Sequence, residues 1–122
     1  MIHPQYIVGI FDSNHGKFEI KKYKKCFKFR ILIFSKNIQV LYKIKERFRV
    51  GKVRKLDDTN VLIMDKNLNK ILDFFYKNQL LTRKSIEFHK FAYLYQKLII
   101  ESNEKSEKEI RKIINRLSYF LL

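Results

Sequence analysis

Cysteine occurs once in this 122-residue chain, at Cys26, so no disulfide can close within it and no cysteine-built metal cage can form. Cys26 is expected to act as a small buried or half-buried packing residue. Proline also occurs once, glycine three times, and tryptophan not at all. With so few chain breakers there is no linker, low-complexity tract or internal repeat, and residues 1–122 read as a single domain. No apolar run approaches the ~20 residues that cross a bilayer. The first residues match neither a secretory signal nor an Arg/Ser-rich transit pattern. Acid is the last shortage: 12 Asp and Glu stand against 27 Lys and Arg, a net charge of +15. Such a surplus points to a polyanionic partner.

A hydrophobic content of 46% with 15% aromatics excludes a disordered basic tail and calls for a packed core. Aromatics interleaved with cations favour nucleic acid over a membrane surface, and no membrane partner is expected. Lys, Asn, Ile, Phe and Tyr are abundant, as an AT-rich coding sequence produces. A mitochondrial or other organellar location is the corresponding expectation.

Pro4–Asp12 reads as a helix, since proline is tolerated in a first turn, and Ser13-Asn14-His15-Gly16 breaks it. From Phe18 the period falls to two: Phe18 and Ile20 alternate with Lys17, Glu19 and Lys21. A basic turn over residues 22–25 leads to a strand with Phe27, Phe29, Ile31 and Ile33 on one face and Lys28 and Arg30 on the other. The hairpin should thus have one oily and one cationic face. Residues 37–48 carry helical spacing through Ile38, Leu41, Ile44 and Phe48. A strand over residues 49–55, a turn at 57–60 and a return strand at 61–64 follow. Asp65 is placed to cap a helix burying Leu68, Ile71, Leu72 and Phe75. After a loop at 78–84, Phe88, Phe91, Ala92, Tyr95 and Leu98 mark a fourth helix, with His89 partly buried in it. A last helix buries Ile110, Ile113, Ile114, Leu117 and Leu121.

Ile7-Val8-Gly9-Ile10-Phe11-Asp12-Ser13-Asn14-His15 resembles the LAGLIDADG motif of homing endonucleases and intron maturases. Residues 41–53 look like that family's passage from second helix to third strand. Residues 68–84 look like its segment leading to a lysine near the scissile phosphate. The resemblance covers residues 5–98, with a tail over 99–122. It implies an α/β (α+β) αββαββα half-domain, in which a four-stranded antiparallel sheet forms a saddle with helices on one face and a helical C-terminal tail. In that family two motif helices pack face to face, and the acid after each holds a divalent metal between the two sites.

At the position of that acid this chain has Asn14. An amide brings no charge to hold a divalent ion or activate its water. Asp12 corresponds to the inner acid at the helix end; in a shifted register Asp12 or His15 would reach a metal instead. Lys84 corresponds to the lysine near the scissile phosphate, or else is an exposed first-turn residue. Between Lys17 and Lys55 fifteen Lys or Arg face only Glu19 and Glu46, a surplus of 13. Lys17, Lys21, Lys28, Arg30, Lys52 and Arg54 are placed against phosphates on the offered face of the sheet, and Gly9 at a close helix interface. The expectation is a catalytically degenerate LAGLIDADG-type nucleic-acid-binding protein with no metal or other cofactor. Its favoured partner is a structured RNA, organellar ribosomal RNA or intron RNA, and the first helix offers a contact for a second copy or another protein. The alternative is an active homodimeric homing endonuclease that cleaves duplex DNA with Mg²⁺. A third class, a sequence-specific DNA-binding regulator, would need base-edge readers that no motif identifies.

Overall fold

The computed structural model describes residues 2–23 and 26–100. The helix expected over residues 103–122 lies outside the described residues. The first helix, α1, is Pro4–Asp12, and the His3 ring Nδ1 accepts the Gln5 N–H at 3.1 Å as its N-cap. Its C-terminus closes in a Schellman pair: Asn14 N–H bonds the Phe11 carbonyl at 3.0 Å and His15 N–H reaches back to Ile10 at 2.9 Å. Asn14 supplies the left-handed backbone this closure requires, at φ 69°. Asparagine tolerates that region better than most residues.

The strands β1 (Gly16–Lys22) and β2 (Phe27–Ser35) form an antiparallel hairpin registered from Gly16 opposite Ile33 to Lys22 opposite Phe27. Gly16 is required by packing, because a Cβ there would stand 2.3 Å from the buried Phe11 ring. Helix α2 (Ile38–Phe48) starts on Asn37, whose side-chain oxygen accepts the Gln39 N–H at 3.1 Å. It stops at Arg49, left-handed at φ 56°. Arg49 therefore ends a helix instead of opening a strand, and β3 is only Lys52–Lys55. Strand β4 (Asn60–Met64) pairs with both β2 and β3, giving the order β1-β2-β4-β3 with every neighbour antiparallel.

Helix α3 is Asn69–Lys77 and α4 is Lys84–Tyr95, continued by a π-helical turn over Gln96–Ile100. Asp65 does not cap α3: Leu68 occupies the N-cap position, with no side-chain bond, after a left-handed Asn67. The extra residues of that turn move the helix start beyond the reach of Asp65.

The inward side chains of the sheet, among them Phe29, Ile31, Ile33, Leu62 and Met64, share one buried cluster with residues of all four helices. Phe18, half-buried on β1, ties the layers together, its ring 5.1 Å from Phe11, 5.8 Å from Phe75 and 5.4 Å from Phe91. Each such pair adds about 0.5–1.5 kcal/mol beyond area burial. Four helices lie on one side of an open antiparallel sheet, as anticipated. Two smaller expectations fail: Cys26 is exposed at the hairpin tip, and His89 is exposed on α4 beside the Tyr76 and Phe88 rings.

Candidate nucleic-acid interface

Side chains alternate across a sheet, so the register decides which residues share its outer face. Lys17 stands opposite Leu32, Glu19 opposite Arg30 and Lys21 opposite Lys28. Leu32 in turn faces Ile63, which faces Lys52, while Val61 lies between Phe34 and Arg54. Lys17, Lys21, Lys28, Arg30, Lys52 and Arg54 thus all occupy one face. Five are exposed and Arg30 is half-buried.

That face is not uniformly cationic. Leu32, Phe34, Val61 and Ile63 run down its middle, and Leu32 and Val61 are nearly fully buried. Glu19 lies among the cations, accepting from Arg30 Nε at 2.7 Å and from its Nη2, with Lys17 and Lys21 Nζ each 3.8 Å away. Arg30 is therefore held by a forked ion pair before any ligand arrives. Lys28 sets its ammonium 5.6 Å from the centre of the Tyr23 ring. The cation pattern alone does not predict this apolar stripe; the unbroken runs 31–34 and 61–64 carry its signal, since strands apolar on both faces lose their alternation.

The positive surplus of residues 17–55 is also less concentrated than expected. Lys43, Lys45, Arg47 and Arg49 belong to α2 and its C-cap, in the helical layer. They take no part in the sheet's outer face.

At the end of α1, Asp12 turns to the loop between α3 and α4. Its carboxylate accepts Leu81 N–H at 3.1 Å, Thr82 N–H at 3.0 Å and Thr82 Oγ1–H at 2.7 Å. Burial raises the Asp12 carboxyl, but the bonds from Thr82 and the Leu81 N–H outweigh it, and the group lies below its ordinary value. Ser13 Oγ bonds the Ile10 carbonyl at 3.1 Å and pairs with His15 Nδ1 at 2.9 Å.

A cleft of about 900 Å³ between the edge strand β1 and the start of α4 brings Asn14, Lys17 and Lys84 together. Lys84 is the first residue of α4 but not an exposed one: its side chain is 11% accessible and its Nζ lies 2.9 Å from Glu87 Oε2. Arg83 and Lys90 line the same cleft and were not singled out from sequence. Their signal was the spacing of three and four residues on either side of Glu87. Gly9 is exposed, and a Cβ built on it meets no atom within 4 Å. Together with Tyr6, Ile10 and Ser13 it lines a second cleft of about 630 Å³ along the bare side of α1. Among the described residues no three His, Cys, Asp or Glu side chains gather as a metal site, and no helix is long and apolar enough to cross a membrane.

No curated protein matches the chain in sequence. Its fold is that of solved homing endonucleases. I-TnaI superposes with a TM-score of 0.73 at 22% identity, over 95% of this chain and 98% of that one. The archaeal intron-encoded I-Vdi141I, solved in complex with DNA, gives 0.76 at 22% identity, over 95% of this chain and 82% of its own. I-GzeII, in complex with its DNA target, gives 0.80 at 21% identity over 96% of this chain, which spans only 43% of that protein. The sequence model of the LAGLIDADG endonuclease family matches residues 7–95, the stretch from the motif helix to the end of α4. With one motif and one half-domain fold in the described residues, the chain belongs to the LAGLIDADG endonuclease family.

Proposed function

We propose that this chain is a nucleic-acid-binding protein of LAGLIDADG type that has lost cleavage and retains the saddle, with a structured RNA as its working partner. The observation that carries this reading is the state of the two motif positions. Asn14 is neutral and serves as the left-handed cap of α1. Asp12, the one carboxylate nearby on the motif, has both oxygens engaged by the Leu81–Thr82 backbone and the Thr82 hydroxyl. A shifted register would have to dismantle that clamp to free a ligand. The donor set therefore does not fit a divalent ion, which prefers several anionic or carbonyl oxygens, and we derive no hydrolytic step through one.

Binding needs none of this. Lys17, Lys21, Lys28, Lys52 and Arg54 present ammonium and guanidinium groups from rigid strands, so each phosphate they neutralise releases condensed counterions with little ordering cost. The apolar stripe between them suits sugar and base edges better than phosphate. Ribosomal or intron RNA in an organelle is the context we assign, on the AT-rich residue usage. The second reading, cleavage of duplex DNA by a homodimer, draws on I-Vdi141I and I-GzeII, whose structures hold DNA. It also draws on Lys84 sharing a cleft with Asn14.

One experiment separates the two. Purified protein is incubated with its co-purifying RNA and with duplex DNA, in Mg²⁺ or Mn²⁺, and the products are resolved for discrete ends. Binding without ends, and new metal affinity in Asn14→Asp, supports the proposal. Specific metal-dependent cleavage by the unmodified chain overturns it.

A further inference from the structure

The cations of α2 find no use in the sheet, yet they form a surface of their own. Leu41, Ile44 and Phe48 point α2 into the core, and Lys43, two residues from Leu41, falls on its far side at about 100° per residue. Arg47 leans from α2 over α3, its guanidinium 5.3 Å from the centre of the Phe74 ring. Phe48 meets the same ring edge-on at 5.3 Å, so the two helices touch here. On α3, Lys70 and Lys77 flank Phe74 at i−4 and i+3, one helical turn to either side. Lys43, Arg47, Lys70 and Lys77 are all exposed, and the described ion pairs involve none of them. With Arg49 added, five cations stand against Glu46 and Asp73, a net charge of +3.

We infer that this α2–α3 face is a second phosphate-binding surface, on the opposite side of the molecule from the sheet, for the backbone of a nucleic acid strand. Arg47 is the anchor, because stacking on Phe74 fixes its planar fork while leaving its edge donors for phosphate oxygens. Lys43 and Arg47 are a like-charged i,i+4 pair, unfavourable in the free helix and relieved by a bound polyanion. Glu46 stands one turn from Lys43 on α2 and Asp73 lies between Lys70 and Lys77 on α3, and the two acids weaken the surface without cancelling its five cations. A protein charged on both faces holds two segments of a folded nucleic acid at once, which the saddle alone does not do. The surface is independent of whether the sheet binds.

Lysine acetylation of the intact protein, mapped by mass spectrometry, tests it. The probes are a short duplex DNA and an RNA hairpin whose stem has the same sequence. Lys43, Lys70 and Lys77 are expected to be shielded by at least one probe at low salt, and the probe that shields them identifies the nucleic acid. The variant Lys43→Gln/Lys70→Gln/Lys77→Gln, with unchanged circular dichroism, should lower the log–log salt slope of binding by about 0.7–0.9 per lost contact, roughly two to three in all. Equal acetylation of the three lysines with and without both probes would overturn the inference, as would an unchanged salt slope. Lys28 and Lys52 report on the sheet in the same spectra, so failure of one surface is told apart from failure of the other.

Discussion

Replacing Asp12 separates the structural use of the motif carboxylate from any catalytic one. In the folded chain it accepts from three donors, the Leu81 N–H shared between both oxygens and the Thr82 N–H and hydroxyl, 69 and 70 residues away, and so pins the α3–α4 loop to the end of α1. Hydrogen bonds to a charged group contribute about 1.5–3 kcal/mol when buried. These are solvent-accessible and share two oxygens, so Asp12→Ala should cost about 2 kcal/mol. Asp12→Asn keeps one acceptor and should cost about 1 kcal/mol. The pH dependence follows from the lowered carboxyl. A group with depressed folded-state pKa contributes its full stability above the unfolded value, about 3.9 for Asp, and loses it as pH falls towards and through the folded value. Protonated Asp12 and an asparagine are then nearly equivalent. Urea unfolding of the unmodified chain and Asp12→Asn should differ at pH 7 and converge well below pH 4. Equal stability of the two proteins at pH 7 would refute the clamp, and a gap that persists unchanged in acid would refute its ionic character.

Gly16→Ala should lower stability by about 1–3 kcal/mol in a thermal melt, because the added methyl meets the buried Phe11 ring at 2.3 Å and the core must shift. Gly9→Leu should do the reverse to the isolated chain, removing a helical glycine that costs about 1 kcal/mol where nothing lies within 4 Å of the new Cβ. Sedimentation should show loss of any self-association through α1, and an unchanged assembly would remove Gly9 from the interface. Lys28→Glu/Lys52→Glu should weaken binding alike for all sequences and flatten its salt dependence by about 0.7–0.9 per contact. Arg30→Glu should do more damage to the fold than to binding, because it sets a second acid against Glu19.

The strands and helices were legible because their periods are clean. Phe18–Ile20 and Phe27–Ile33 alternate, and Leu41–Ile44–Phe48 keeps helical spacing. Boundaries differ from the sequence expectation where a non-glycine residue takes left-handed backbone: Arg49 carries no local signal for it and shortens β3, while Asn67, an asparagine that tolerates that region, shifts the start of α3 away from Asp65. The sheet's outer face was misjudged for another reason. Lys28 and Arg30 predict a cationic face along the whole strand, while Leu32 and Phe34, two and four residues beyond Arg30, continue the same face as hydrocarbon. The pairing of Glu19 with Arg30 depends on which strand lies opposite which residue, and only the register supplies that.

Under the proposed function, the two motif positions account for how binding and cleavage would come apart. Residue 12 turns to the α3–α4 loop and fastens it, so its charge is tied to folding, and a neutral side chain there weakens the protein. Residue 14 sits at the left-handed end of α1, where the backbone demand is met by asparagine at least as well as by aspartate. A helix C-terminus is moreover the negative end of the macrodipole, so a carboxylate at residue 14 would be disfavoured in the absence of a cation. Without a metal to hold, the neutral amide is the more stable choice at residue 14. The sheet's cations lie on β1, β2 and β3, outside this turn, and nothing in their pairing depends on residue 14. On the proposed function, an amide in place of the acid favours the fold and leaves the cationic sheet face unchanged, the physical condition under which a nuclease scaffold would persist as a binding protein.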